Sequence, residues 1–396
     1  MQDTLKKLEQ RIDRFCTNRV NHFSATISPA PKSKERNEIE SIAEALLYFA
    51  SRGVKEVTIQ PKYMGSYCDI YLHRNIEDSY FVSRNGYSIR HLDLDLAKKK
   101  CEALHQKLQN LWDADAEMVL IQSELMPWSA LGKGLVDREF GGYGFSHETH
   151  QQFLAKSDMY EKLEKVRASA SFVEYENDVK VLKAKQLAEK YKPHVIRQYD
   201  AVLNMPILNL DEYASDVRLY QSQVELYGAE AELYFKPFNV LKVCYKNGQE
   251  EIWNDNIRGF EAVSEDTQLV LNLDDMELAC AESYAFFEQL VAAQHEGVMI
   301  KPRTCFDPNL PPAFKVRNND YLQMIYGINF RKDYEDYLQK RSIRRKLECS
   351  IKDWQLSYDM LRVPNHSINT ENYRLKLLCY KRIVQENMEI DLDKRL

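Results

Sequence analysis

Glycine is unevenly spread along this chain, and where it is missing constrains the fold most. None of the thirteen glycines falls between 146 and 224, and none follows 330. Without glycine the backbone has few inexpensive routes into left-handed φ, so tight hairpins are scarce. The first of these stretches is dense in Lys, Glu, Leu and Ala across 156–192, the composition of exposed helices. The chain therefore reads as helical across 146–225 and again across 331–396.

Elsewhere the texture is that of strands. Val57-Thr58-Ile59 is β-rich, and Cys68, Ile70 and Leu72 alternate with Asp69 and Tyr71. Tyr80-Phe81-Val82 and Met118-Val119-Leu120-Ile121 continue the pattern, which returns at 231–245, 269–273 and 297–300. Ahead of the strands, Leu5, Leu8, Ile12 and Phe15 recur at helical spacing. A second helix is expected across Ile39, Ile42, Leu46 and Phe49, ended by Gly53. The expected fold class is α+β: a β-rich core of 1–145 and 226–330 with N-terminal helices, a helical insert at 146–225 and a helical C-terminal module at 331–396.

The 396 residues suffice for a large core and two or three modules. A net charge of −6 means that any surface for nucleic acid must be local, since such surfaces show as excess Lys and Arg. Eight scattered cysteines form no CxxC or Cys/His ligand spacing, which argues against a structural zinc site. Residues 1–15 lack the apolar run of a signal peptide, and no stretch approaches the roughly 20 apolar residues that span a bilayer. A cytoplasmic protein with no membrane partner is expected.

Five short motifs carry chemistry. Lys62-Tyr63-Met64-Gly65-Ser66 follows the first strand. A lysine past a strand end, then a glycine and a small hydroxyl residue, suits a nucleophile facing a nucleotide. The glycine admits close backbone approach, and backbone and serine donate to phosphate. Standing alone, such a lysine is more often a solvated surface residue. Arg84-Asn85-Gly86 combines a guanidinium able to fork onto ribose or phosphate with the strongest short hairpin signal, and both readings hold at once. Ser123-Glu124-Leu125-Met126-Pro127-Trp128 sets a carboxylate at a strand end, facing either a site or a solvated edge. Glu296-Gly297-Val298-Met299-Ile300-Lys301-Pro302 brackets a short strand with a metal-binding carboxylate and a phosphate-binding cation. In Pro312-Ala313-Phe314-Lys315-Val316-Arg317 two bases share one strand face.

The order Lys-x-x-Gly, Arg-x-Gly, Glu, Glu-Gly-x-x-x-Lys, Lys-x-Arg resembles the covalent nucleotidyltransferase superfamily of ligases and RNA capping enzymes. Pro311 to Arg317 running into Tyr321-Leu322-Gln323-Met324-Ile325-Tyr326-Gly327 is similar to the ligase domain of bacterial polynucleotide kinase-phosphatase. Glu124-Leu125-Met126-Pro127-Trp128-Ser129 and Phe235-Lys236-Pro237-Phe238 point the same way. The resemblance covers most of the chain and implies a nucleotidyltransferase fold of antiparallel sheets, with no OB domain after the last motif. It implies Lys62 as the nucleophile that forms lysyl-AMP, Arg84 and Glu124 on the ribose, and Phe238 on adenine. Gln60 would meet the adenine edge, Glu296 a divalent metal, and Lys301, Lys315 and Arg317 the phosphates. The chain departs from many ligases at Tyr67, where arginine is usual, and at Arg317, where many relatives carry lysine.

A lysine with an ordinary pKa of about 10.4 must be made neutral to attack, which burial, neighbouring cations and a metal promote. The resemblance therefore implies ATP as AMP donor, Mg²⁺ or Mn²⁺, and sealing of RNA with 5′-phosphate and 3′-hydroxyl ends. No GxxxxGK[ST] is present, so end-healing is expected from a separate polynucleotide kinase-phosphatase, alongside an RNA 3′-terminal 2′-O-methyltransferase. Arg341, Arg344, Arg345 and Lys346 form the densest basic run, either touching RNA or lying on a solvated helix face. The alternatives are a scaffold subunit without catalysis of its own, or another superfamily member such as a DNA ligase or capping enzyme.

Overall fold

Period-two alternation of apolar side chains builds two five-stranded sheets around the site. The structure, a computed structural model, describes residues 2–90, 92–128, 136–229 and 231–396. Ser129, the last residue of one motif above, lies outside the described residues. The strands are β1 (Ser28–Pro29), β2 (Glu56–Lys62), β3 (Ser66–His73), β4 (Tyr80–Ser83), β5 (Ala116–Met126), β6 (Tyr234–Tyr245), β7 (Glu250–Ile252), β8 (Leu269–Asn272), β9 (Gly297–Pro302) and β10 (Phe314–Arg317). One sheet runs β1-β10-β9-β2-β8 and the other β4-β3-β5-β6-β7. Pairing is antiparallel except between the two-residue β1 and β10, which lie parallel.

In the first sheet Val57, Ile59, Val298, Ile300, Phe314 and Val316 turn to one face. There they pack on helices Ile42–Ala50 and Met276–Ala292, each buried side chain contributing ~1.5–3 kcal/mol. The residues between them, Gln60, Lys62, Met299, Lys301 and Lys315, take the opposite face and line a cavity. Helix Ile42–Ala50 starts three residues later than the apolar spacing suggests, because Ser41 caps it by accepting from the Glu44 amide.

In the second sheet both faces of β3 are covered. Cys68, Ile70 and Leu72 join one core with Trp112, Ile121 and Val240. Tyr71 joins another with Phe15, Phe23, Leu120, Trp354 and Leu375. That second core includes the helices Arg344–Leu361 and Tyr373–Glu389, so the C-terminal helices share apolar packing with a sheet.

Compact packing divides the chain into Met1–Val136 with Glu225–Leu396, and Asp137–Val224. The second unit is all helical, with Leu154, Leu163, Phe172, Tyr175, Tyr213, Val217 and Tyr220 inside it. Tyr175 donates to Asp200 Oδ1 at 2.6 Å. Its first α-helix begins at Gly142, ahead of the glycine-free stretch, and Gly144 lies where a Cβ would press at 3.3 Å on the Tyr220 ring. Among the described residues no helix is long and apolar enough to cross a membrane.

Candidate active site

The hairpin joining β2 to β3 fixes the central lysine. Lys62 ends β2 rather than following it, opposite Gly297 of β9, and its Nζ donates to Glu296 Oε2 at 2.8 Å. Gly65 has no room for a side chain: a Cβ would meet Met126 Sδ at 2.5 Å and the Leu125 carbonyl at 2.8 Å. The turn can therefore press against β5, which carries Glu124.

Lys62 lines a cavity of about 350 Å³, within the range of small-ligand sites. Seven of the nine residues read from the sequence line it: Gln60, Lys62, Arg84, Glu124, Phe238, Lys301 and Lys315. Glu296 joins through its bond to Lys62 and is only 2% exposed. Arg317 does not line the cavity. It is buried on Glu40, donating from both Nε and Nη2, with Arg341 on the same carboxylate at 2.7 Å. The two arginines hold the Glu40 carboxyl down at about 2 despite full burial. The expected pair of bases thus splits: Lys315 faces the cavity and Arg317 braces the wall behind it.

Burial sets the electrostatics. Desolvation, with the Glu296 carboxylate, pushes Glu124 up to about 8 against the pull of Lys62 and Arg84. Glu124 Oε2 is buried without a hydrogen-bond partner. Desolvation holds Lys301 down at about 8, and its Nζ lies 4.5 Å from the centre of the Phe238 ring. Lys315 falls well below its ordinary value through burial and the nearby Arg317 and Lys62 cations. Burial thus weakens the hold of Lys301 and Lys315 on their protons.

Gln60 is oriented by its partner. Its Nε2 donates to Gln268 Oε1 at 3.1 Å, an oxygen that also accepts from Thr58. That leaves Gln60 Oε1 buried and unbonded at the cavity wall. Tyr67, standing where arginine was the family's usual choice, donates to Asp69 Oδ1 at 2.6 Å and accepts from Gln122 at 2.9 Å. Asp69 in turn binds His22 Nδ1 at 2.8 Å, and the Tyr67 ring meets Phe238 edge to face. Tyr67 therefore supplies a fixed aromatic wall and no cation.

Sequence reasoning missed the C-terminal helices' contribution. Lys346 and Lys394 line the cavity, and Glu389 Oε2 accepts from Arg84 at 2.9 Å. The basic run divides: Arg341 is buried on Glu40, Arg344 pairs with Glu348, and Lys346 reaches the cavity. Among the described residues no cluster of three or more His, Cys, Asp or Glu could hold a metal by itself. Two carboxylates beside a lysine, one with an orphaned oxygen, suit a divalent cation that takes its remaining ligands from phosphate.

The chain matches no curated protein sequence. It is 47% identical to a chain of the structure described as "Structure of Pnkp1/Rnl/Hen1 complex", covering 100% of both at a TM-score of 0.95. A chain of the "Structure of the Pnkp1/Rnl/Hen1 RNA repair complex" matches at 47% identity and TM-score 0.92, covering 99% of both. The family model described as "PNKP adenylyltransferase domain, ligase domain" matches residues 11–370, which takes in the strand-end lysine, both carboxylates and all the cavity strands. The chain belongs to this family of PNKP ligase adenylyltransferase domains.

Proposed function

We propose that the chain is an ATP-dependent RNA ligase that seals 5′-phosphate to 3′-hydroxyl ends through AMP carried on Lys62. The observation that carries this reading is Lys62 itself, ion-paired to Glu296 on the wall of a cavity rich in lysine. Neutral Nζ attacks the α-phosphorus; the N–P bond forms as the P–O bond to the β-phosphate breaks. Pyrophosphate leaves with the bonding pair, and the nitrogen gives up a proton to water. The AMP then passes to an RNA 5′-phosphate, and the 3′-hydroxyl displaces it.

Lys301, Lys315 and Arg84 offset charge developing on the phosphates, the main demand of such transfers. Glu124 and Glu296 would hold Mg²⁺ or Mn²⁺ with phosphate oxygens, and the ion would supply Lewis-acid stabilisation. The free Gln60 Oε1 is an acceptor, matching the adenine 6-amino group rather than the guanine 6-oxo group. Phe238 offers the base an aromatic face. Arg317, buried on Glu40, supports this set from behind rather than by touching phosphate. The matched chains sit in assemblies named for three proteins, which supports a separate kinase-phosphatase and a 3′-terminal 2′-O-methyltransferase as partners here.

The test is label transfer. Protein incubated with α-labelled ATP and Mg²⁺ or Mn²⁺ should acquire acid-sensitive label that Lys62→Ala abolishes. Label from GTP alone would indicate capping-type chemistry. No label, with partners present, would leave a scaffold.

A further inference from the structure

The cavity gathers more basic side chains than its own carboxylates pair. Lys315, Lys346 and Lys394 all line it, and none has an ion pair or side-chain hydrogen bond among the described residues. Two carboxylates that act on Lys315 and Lys346 are already engaged. Glu40, beside Lys315, is taken by Arg317 and Arg341. Glu389, beside Lys346, is taken by Arg84 and Arg382. Lys315 and Lys346 are half-buried while Lys394 is exposed, and burial costs the first two their charge unless an anion joins them.

The backbone adds to this field. Lys346 lies in the first turn of the 18-residue helix Arg344–Leu361, whose N-terminus has no side-chain cap. Free amides and the positive end of the helix dipole favour an anion there. Lys315 is the lysine electrostatically linked to both Lys62 and Lys346. Lys62, Lys315, Lys346 and Lys394 thus line one cavity together.

We infer that Lys346 and Lys394 receive the β- and γ-phosphates of the bound triphosphate, with Lys315 shared between them and the α-phosphate. The C-terminal helices thus complete the site for the leaving pyrophosphate. This rests on the adenylyl-transfer reading above and deepens it. The group bound is the part of ATP that departs when Lys62 is adenylated, so Lys346 and Lys394 act in that step alone. An RNA backbone track is disfavoured for Lys346, which is half-buried in the same cavity as Lys62; Lys394 is exposed and enters the assignment through its place on the cavity lining.

The experiment separates the steps of ligation. The Lys346→Ala/Lys394→Ala protein should form labelled adenylate from ATP at least tenfold more slowly than the parent. Added inorganic pyrophosphate should discharge its preformed adenylate more slowly to a similar degree. Sealing of RNA already carrying AMP on its 5′ end involves no pyrophosphate, and should lose far less than adenylation does. That arm also shows that the variant is folded. Lys346→Arg should recover most of the adenylation rate. Equal loss of both steps would assign the lysines to RNA or to the fold and overturn the inference, as would loss of neither. Failure of the parent protein to take label at all would instead defeat the underlying reading.

Discussion

Lys62 and Glu296 meet because their strands pair in register: Lys62 ends β2 opposite Gly297, the first residue of β9. The ion pair at 2.8 Å holds the amine in one place before a nucleotide arrives. Replacing the carboxylate with an amide keeps the shape and removes the charge that positions Nζ and would hold a metal. Glu296→Gln is expected to slow lysyl-AMP formation by about 10²-fold or more, as when one preorganised electrostatic group is removed. Single-turnover labelling measures this. An unchanged rate would show that Glu296 is only a structural partner of Lys62.

Glu124 gives the protein a pH signature. Burial and the Glu296 carboxylate raise it to about 8, whereas an unfolded chain titrates it near 4.3. Between those values the folded chain binds more protons than the unfolded one, so stability falls as pH rises. Lys301, held down at about 8 by burial, binds fewer protons when folded between about 8 and 10.4. Over that window stability climbs with pH. In Glu124→Gln the decline from pH ~5 to ~8 should shrink, while the Lys301 rise above ~8 persists. Melting temperatures of the nucleotide-free proteins across pH give the difference curve, and parallel curves would refute the assignment.

The neighbourhood of Lys62 was legible because each member sits in a short motif at a strand end, where position in sequence almost dictates position in space. Glu296 lies 234 residues beyond Lys62, yet both were readable from local pattern. Arg317 was readable as a base but not as Glu40's partner, because nothing in the 31–40 segment signals a buried carboxylate. Lys394 and Glu389 left no local signal either, and Lys346 stood out only as part of a basic run, with nothing to place it in the cavity. They lie on or after helices whose sequences show only amphipathicity, and their role follows from packing against β3, β5 and β6. Tyr67 stood out as a departure from the family, but its tie to Asp69 and His22 follows only from the fold.

Gly297 tests how much backbone geometry the site requires. Its φ of +155° lies where side chains are strained, and an added Cβ would overlap the Val316 carbonyl oxygen. That oxygen cannot withdraw easily, since Gly297 pairs with Arg317 on one side and Lys62 on the other. Gly297→Ala is expected to cost on the order of 1–3 kcal/mol, as overpacking and strain do. Thermal or denaturant melts measure that loss. Adenylation should fall further than the folded fraction does, because the shift moves Glu296 and Lys62 together. Normal stability and normal labelling would mean that the junction yields more freely than its contacts indicate.

Arg84 depends on a residue 305 positions away. Glu389 accepts from it at 2.9 Å and also from Arg382, which reaches the buried Asp353. Without the Glu389 charge, Arg84 keeps its place on the hairpin after β4 but loses the group that aims its guanidinium into the cavity. If Arg84 grips ribose or phosphate, Glu389→Gln should raise KM for ATP several-fold while changing the maximal adenylation rate less. Glu389→Asp, which keeps the charge on a shorter arm, should fall between the two. Arg382 would also lose a partner, so the melts must be compared: a structural effect alone would lower the melting temperature without separating KM from kcat. Equal loss of kcat and kcat/KM would instead place Arg84 in contact with the transition state only, and Glu389 as the residue that keeps it there.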